Sequence, residues 1–473
     1  MPVARGGGKN KQRSLAMYSR RDLIVLFAVV AVLSAWGRNW LSAEAAEATE
    51  ATRQVALEAA MAYPILLADT KQTTVVKVGL AGFKLDSNQQ RAPVNVALVL
   101  DKSGSMSGAK IEKAKQAAID AVRRLGPQDI VSVVTYDSTV SVLVPATRLT
   151  DKEPVLAAIR QIGAGGSTAL FGGVSKGAEE VRKFLDRERV NRVLLLSDGL
   201  ANVGPQSPAE LGELGASLIK ENIAVSTMGL GLDYNEDLMA QLADKSDGNH
   251  VFAESSSDLA AFFDAEFDDV LSVVAQEIAI HIKCAEGIRP VRVVNYDAEI
   301  SGQDVIVKFN QIYSEQEKYL VLEVEVPASP SDAARPVATV SASYTNMVTM
   351  ATDELSGSVD VRFSAEEAEV AAATNRIVAY NCVAQIANDR NAEAIRLRDQ
   401  GDVEGARELL RKISTYLRDE AQKLDQKPLA DQAERNEWLS DNLDKGDYGR
   451  VRKAVIMDQQ NRRGNVPSRS DGR

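Results

Sequence analysis

Asp101, Ser103 and Ser105 place three oxygen donors within five residues, in the pattern D-x-S-x-S. Oxygen sets of this kind suit a hard divalent cation. Mg²⁺ keeps several waters and needs one or two carboxylates, whereas a dedicated Ca²⁺ cage recruits more acids. Gly104 lets the loop fold back so that all three side chains can face one point. Taken alone, the five residues fit equally well a polar loop in which Asp101 or a serine caps the following helix.

The surrounding pattern says what must position these groups. Residues 94–100, VNVALVL, are uncharged and rich in Val and Leu, which reads as a strand buried on both faces in a parallel sheet between helices. Asp101 then stands at the carboxyl end of that strand, where ligands collect in open α/β sheets. Residues 192–199, RVLLLSDG, form a second apolar strand ending in an acid, Asp198, and residues 165–170, GGSTAL, place Thr168 in a glycine-rich loop before a helix. All are expected on the same side of the sheet.

This set resembles the von Willebrand factor type A (VWA) domain and its metal-ion-dependent adhesion site, over about residues 94–267. In that family the D-x-S-x-S residues and a threonine coordinate the metal, and a second aspartate acts mostly through water. The resemblance therefore implies Asp101, Ser103, Ser105, Thr168 and Asp198 as the metal site, Mg²⁺ (or Mn²⁺ or Ca²⁺) as the ion, and a protein partner whose Asp or Glu completes the coordination. Residues 229–239, GLGLDYNEDLM, and 242–252, LADKSDGNHVF, look most like the bacterial branch named calcium-activated chloride channel homologues; the label is inherited, and nothing here reads as a pore. Animal relatives include members with an appended metalloprotease, but this chain has no H-E-x-x-H and only two histidines, His250 and His281. His250 reads as a strand-end residue.

From residue 94 the order strand, loop, helix repeats. Ile111, Ala114, Ala118, Val122 and Leu125 give one helical apolar face, stopped by Gly126-Pro127. Strands follow at 130–136, 140–144, 223–228 and 250–253, and helices at 155–162, 174–185 and 209–221. The expected fold is α/β, a doubly wound, mainly parallel sheet of the VWA or Rossmann-like kind. After residue 267 the period becomes two, with runs at 277–284, 291–295, 305–309, 319–326 and 336–344, which predicts an antiparallel β-sandwich over 268–363. The strands expected within 75–93 are assigned to it, so the VWA unit is expected to be inserted in the sandwich or followed by it. Residues 364–461 read as a helical region. Ser364 opens a capping box with Glu367 for one long helix to about Gln400, and Asp402 caps a helix over 403–424. Further helices are expected at 429–443 and 448–461, and residues 462–473 as a disordered tail. Residues 398–413 resemble a tetratricopeptide turn, but a single unit lacks neighbours to stack on, which favours a family-specific tail.

The net charge of −11 conceals six unopposed cations, Arg5, Lys9, Lys11, Arg13, Arg20 and Arg21, so the body is more acidic than the total. An acidic body argues against nucleic acid as a partner. The basic head runs into residues 23–36, LIVLFAVVAVLSAW, short of the ~20 apolar residues of a membrane span but suited to a signal-peptide core. Ala43-Glu44-Ala45 offers a small-x-small cleavage site, and residues 19–23 look like a twin-arginine motif. Residues 1–45 are thus expected to be a signal peptide or N-terminal membrane anchor, by the twin-arginine or the general route, and 46–74 a weakly helical spacer. The body is then exported to the periplasmic or extracellular side, touching the membrane only through an uncleaved N-terminus. Cys284 and Cys382 either pair or stay as buried free thiols.

These residues point to a non-enzymatic, metal-dependent interaction protein, because hydrolysis needs a base and no histidine or cysteine lies near the oxygen cluster in sequence. Two rivals differ in class. A haloacid dehalogenase-type phosphotransferase wants an acid where Ser103 stands. An adaptor for an AAA-type ATPase would work in the cytoplasm, against the export signal.

Overall fold

The structure, a computed structural model, describes residues 53–85, 91–253, 255, 259–444, 448, 449, 452, 453, 455 and 456. The expected export segment at 1–45 and the polar tail at 462–473 lie outside the described residues. The chain begins with β1 (Val55–Met61), β2 (Ile65–Leu67) and β3 (Gln72–Gly82). It continues through β4 (Val94–Asp101), α1 (Ala109–Arg124), β5 (Ile130–Tyr136), β6 (Val140–Arg148), α2 (Glu153–Arg160), α3 (Leu170–Arg182), β7 (Val190–Ser197), α4 (Pro208–Leu218), β8 (Ala224–Leu230), α5 (Glu236–Lys245), β9 (His250–Ala253) and α6 (Leu259–Leu271). These form a sheet of order β6-β5-β4-β7-β8-β9, parallel except for the β5–β6 pair.

Every residue of β4, β5, β7 and β8 is buried, as helices on both faces require. Alternate side chains of β4 divide between two cores. Val94, Val96, Leu98 and Leu100 pack with Ile111, Ala118 and Val122 of α1 and Phe263 and Phe267 of α6. Ala97 and Val99 pack with Val174 of α3, Leu211 of α4 and Leu238 of α5. Asn95 is tolerated in this strand because its amide donates to the Val181 carbonyl at 2.8 Å and to Asn191 Oδ1 at 3.0 Å.

Seven strands follow: β10 (Val273–Cys284), β11 (Arg289–Val294), β12 (Glu299–Ser301), β13 (Asp304–Tyr313), β14 (Glu317–Val326), β15 (Ala334–Asn346) and β16 (Thr352–Ser364). One sheet has the order β1-β3-β14-β11 and the other β12-β13-β10-β15-β16-β2; both are antiparallel except where β2 runs parallel to β16. Val76, Val78 and Leu80 of the first share a core with Ile278, Ile280 and Ile282 of the second. Because β1 to β3 precede the parallel sheet and β10 to β16 follow it, the α/β unit is inserted between strands of the sandwich. The chain then forms α7 (Glu367–Ala372), α8 (Arg376–Asp399), α9 (Val403–Leu424) and α10 (Lys427–Asn442). Val378, Cys382 and Val383 of α8 lie against Val294 and Val321 on the outer side of the first sheet.

Three expectations need correction. The spacer at 46–74 contains β1 and β2: residues 55–61 pair antiparallel with β3 from Val55↔Gly82 to Met61↔Val76, so strand pairing overrides their alanine-rich helical preference. The strand β16 lay unread in a Ser-, Gly- and Asp-rich stretch, where only alternate positions are buried. The long helix from Ser364 to Gln400 is broken, because Ser364 is the last residue of β16, opposite Leu67 of β2. Its hydroxyl accepts from the Glu366 amide, and the long helix is capped instead by Asn375, whose side chain accepts from Val378 N. Cys284 and Cys382 are both free and buried, in different cores, and burial pushes their thiols up to about 11 and about 12. Among the described residues no helix is long and apolar enough to cross a membrane.

The inserted unit is joined to the sandwich by a buried polar network. Arg192 of β7, fully enclosed, donates to Ser226 Oγ and to Tyr313 Oη of β13, each at 2.8 Å, and pairs with Glu266 of α6 at 3.3 Å. Asn249 Nδ2 donates to the other Glu266 oxygen at 2.8 Å. Arg192→Met leaves Glu266 charged, buried and short of its partner, and is expected to cost roughly 3–5 kcal/mol of stability in urea unfolding. Arg192→Met with Glu266→Gln should recover much of that loss; a double variant as unstable as the sum of the two single variants would show that the pair is not coupled.

Candidate functional site

Asp101 ends β4 between β5 and β7, with no exposed surface. Its Oδ1 accepts from the Ser103 amide at 2.8 Å and its Oδ2 from Ser197 Oγ at 2.7 Å, which fixes the carboxylate plane. Burial pushes its carboxyl above the ordinary value; the hydrogen bonds from Ser103 and Ser197 pull against this, and the charge of Asp198 adds to the rise.

Asp198, also fully buried, follows β7. Ser103 Oγ and Ser105 Oγ are 3.0 Å apart, and Ser105 Oγ donates to Asp198 Oδ1 at 2.6 Å. Lys110 Nζ donates to the other oxygen, Oδ2, at 2.6 Å. Thr168 reaches the same place, since a Cβ on Gly199 would stand 3.4 Å from both Ser105 Oγ and Thr168 Oγ1. The five oxygen-bearing residues expected from the sequence are therefore brought together at the carboxyl ends of β4 and β7.

The loops that carry them are tied by backbone hydrogen bonds. Gly104 N donates to Gly166 O at 2.9 Å and Gly165 N to Lys102 O at 2.7 Å, while Asn202 Oδ1 accepts from Thr168 N at 2.7 Å. Gly166 has φ +83°, a backbone conformation that glycine adopts without strain. Leu200, Val203 and Leu232, on the loops after β7 and β8, are exposed.

Neither histidine belongs to this cluster. His250 opens β9 and is buried, with Nδ1 2.8 Å from Thr227 Oγ1 and Nε2 3.3 Å from Tyr234 Oη; burial holds its pKa down at about 4. His281 pairs with Asp304 on the sandwich at 2.7 Å. Among the described residues no group of three or more His, Cys, Asp or Glu is placed to hold a metal. The oxygen cluster has a different make-up, two carboxylates and three hydroxyls, which suits a hard cation that keeps waters.

Reading the sequence missed Ser197, Asn202, Lys110 and the reach of the tail. Lys110 carried a usable signal, a cation in the first turn of a helix, where the dipole disfavours positive charge unless an acid compensates it. A Cβ on Gly231, after β8, would lie 3.9 Å from Lys110 Nζ, so the loop leading to α5 borders the site. That loop is held from the tail: Lys453 Nζ donates to Tyr234 O at 2.7 Å and pairs with Glu236, while Arg452 bonds Glu236 at 2.6 Å and Asp237 at 2.8 Å.

Comparisons with known proteins bear on the domain and its fold. The von Willebrand factor type A domain family model matches residues 95–265. The uncharacterized protein sll0103 of Synechocystis sp. is 27% identical over 251 residues, covering 51% of this chain and 59% of its own length. Human inter-alpha-trypsin inhibitor heavy chain H3 is 26% identical over 198 residues, covering 39% of this chain and 22% of its own. The chain thus spans less than two thirds of the length of these relatives. Among solved structures, a von Willebrand factor type A protein from Catenulispora acidiphila superposes with a TM-score of 0.65 at 16% identity, over 87% of this chain and 97% of that one, which bears on the fold alone.

Two substitutions test the cluster. Asp101→Ala is expected to abolish Mg²⁺ and Mn²⁺ binding in calorimetry with the fold intact by circular dichroism. Ser197→Ala, which removes one of the two hydrogen bonds that orient the carboxylate, should weaken binding roughly tenfold. Undiminished binding in Asp101→Ala would place the metal elsewhere.

Proposed function

Because residues 95–265 form a von Willebrand factor type A domain, we propose that this chain binds a divalent cation at the end of β4 and uses it to hold a protein partner through the partner's Asp or Glu. The observation that carries the reading is the convergence of Asp101, Ser103, Ser105, Thr168 and Asp198 at the carboxyl ends of β4 and β7 with both carboxylates fully buried. Two buried acids side by side are costly unless a cation compensates them, and Lys110 compensates only one. The ion is Mg²⁺ or, alternatively, Mn²⁺ or Ca²⁺; once bound it supplies a Lewis-acidic position that an anionic oxygen can complete. Asp101, Ser103, Ser105 and Thr168 would hold it directly, and Asp198 through water.

The chain's own part is positional. The Ser103 amide and the Ser197 hydroxyl aim Asp101, and the Gly104–Gly166 and Gly165–Lys102 hydrogen bonds hold the serine and threonine loops together. Exposed Leu200, Val203 and Leu232 give the surrounding surface apolar area against which a protein, rather than a small solute, can close. A non-enzymatic role fits a cluster with no histidine or cysteine in it. A phosphotransferase would need an acid at Ser103, whose hydroxyl instead stands 3.0 Å from that of Ser105.

We place the body outside the cytoplasm on the strength of the basic head, the apolar stretch at 23–36 and the Ala43-Glu44-Ala45 site. Protease added to spheroplasts should then digest the body; complete protection there, with digestion after lysis, would put it in the cytoplasm and favour the ATPase-adaptor alternative. Partner capture from source membranes should be lost with chelator, restored by Mg²⁺ or Mn²⁺, and absent in Thr168→Ala. The same partners captured with chelator and by the variant would show that recognition lies on the sandwich or the helices.

A further inference from the structure

Lys110 holds a place at the site that a set of metal ligands does not require. It is the second residue of α1, at the positive end of the helix dipole, where an ammonium is disfavoured without an acid nearby. That acid is Asp198, fully buried, with Oδ2 2.6 Å from Nζ, while its Oδ1 is taken by Ser105 Oγ at the same distance. Both oxygens of Asp198 are thus engaged before any ion arrives. The loop at Gly231 borders the ammonium, since a Cβ there would lie 3.9 Å from Nζ, and Lys453, from the tail, holds the same loop three residues on at Tyr234 O. Lys110 is therefore anchored at the site by its ion pair with the buried Asp198, with its side chain about 32% exposed.

The charges at the site have a simple consequence. Asp101 and Asp198 bring two negative charges and Lys110 one positive charge, so a divalent cation leaves the loaded site with a net positive charge. Without Lys110 the same ion would leave it neutral. A fixed cation beside the ion opposes binding of the bare ion and favours an anionic ligand on the loaded site. We propose that Lys110 is a specificity-determining residue that couples the two events: it loosens the metal when no ligand is present and tightens both once a carboxylate arrives. This coupling is reciprocal, so a carboxylate raises metal affinity by the same factor as the metal raises carboxylate affinity. The inference rests on the metal reading above and extends it, from a site that accepts an acid to one whose metal occupancy depends on the acid.

The test is Mn²⁺ calorimetry on the full body in chloride and in acetate at equal ionic strength, for the wild type, Lys110→Met and Lys110→Arg. Acetate is the probe carboxylate. Lys110→Met is expected to bind Mn²⁺ on the order of tenfold more tightly in chloride, because the ion becomes the main counter-charge of Asp198. Its gain in affinity on moving to acetate should be smaller than in the wild type, and Lys110→Arg should keep the wild-type pattern. The melting temperature should follow, with added Mn²⁺ stabilising Lys110→Met more than the wild type. Equal or weaker Mn²⁺ binding by a folded Lys110→Met, or an acetate effect of undiminished size, would overturn the proposal while leaving the metal site standing. Absence of Mn²⁺ binding in the wild type would overturn the site reading and this inference together.

Discussion

Two carboxylates buried side by side, Asp101 and Asp198, are the constraint on which the rest of the site depends. Asp101 ends, and Asp198 directly follows, a strand enclosed on both faces, and neither side chain has exposed surface to relieve its charge. Every donor around them answers that cost: the Ser103 amide and Ser197 hydroxyl on Asp101, the Ser105 hydroxyl and Lys110 ammonium on Asp198. Burial still pushes the Asp101 carboxyl up, and the charge of Asp198 adds to the rise.

The scaffold keeps this arrangement stiff where it must be and open elsewhere. Insertion between β3 and β10 anchors both ends of the α/β unit to one sandwich, and Arg192, Glu266 and Tyr313 lock the junction from inside. The helical region covers the first sheet and sends Arg452 and Lys453 back to the loop between β8 and α5, next to Lys110. The tail is therefore tied by hydrogen bonds to a loop that borders the site, although 200 residues and more separate Lys453 from Tyr234 in sequence.

Much of this was legible before any coordinates. The run 94–100 announced a doubly buried strand, and an acid at its end followed by two serines is a local pattern that survives any long-range pairing. Thr168 and Asp198 were legible through the glycine loop and a second apolar strand. What escaped depended on distant partners. Residues 55–61 are a strand because β3 offers an edge, and in β16 the buried Leu355, Val359, Val361 and Phe363 alternate with exposed Ser, Asp and Arg residues around Gly357, a weak pattern that only pairing with β15 and packing on the facing sheet turn into a strand. Ser364 carried a capping signature, yet the strand pairing with Leu67 claimed it first. Lys110 and Lys453 act on atoms far from them in sequence, which single-sequence spacing does not express.

The central claim is that one divalent cation belongs between the ends of β4 and β7. Anomalous scattering from crystals of the body grown with Mn²⁺ locates such an ion directly. The account predicts a peak among the oxygens of Asp101, Ser103, Ser105 and Thr168, absent in Asp101→Ala crystals. A peak confined to other surface carboxylates, with the Asp101 cluster empty at saturating Mn²⁺, would contradict it.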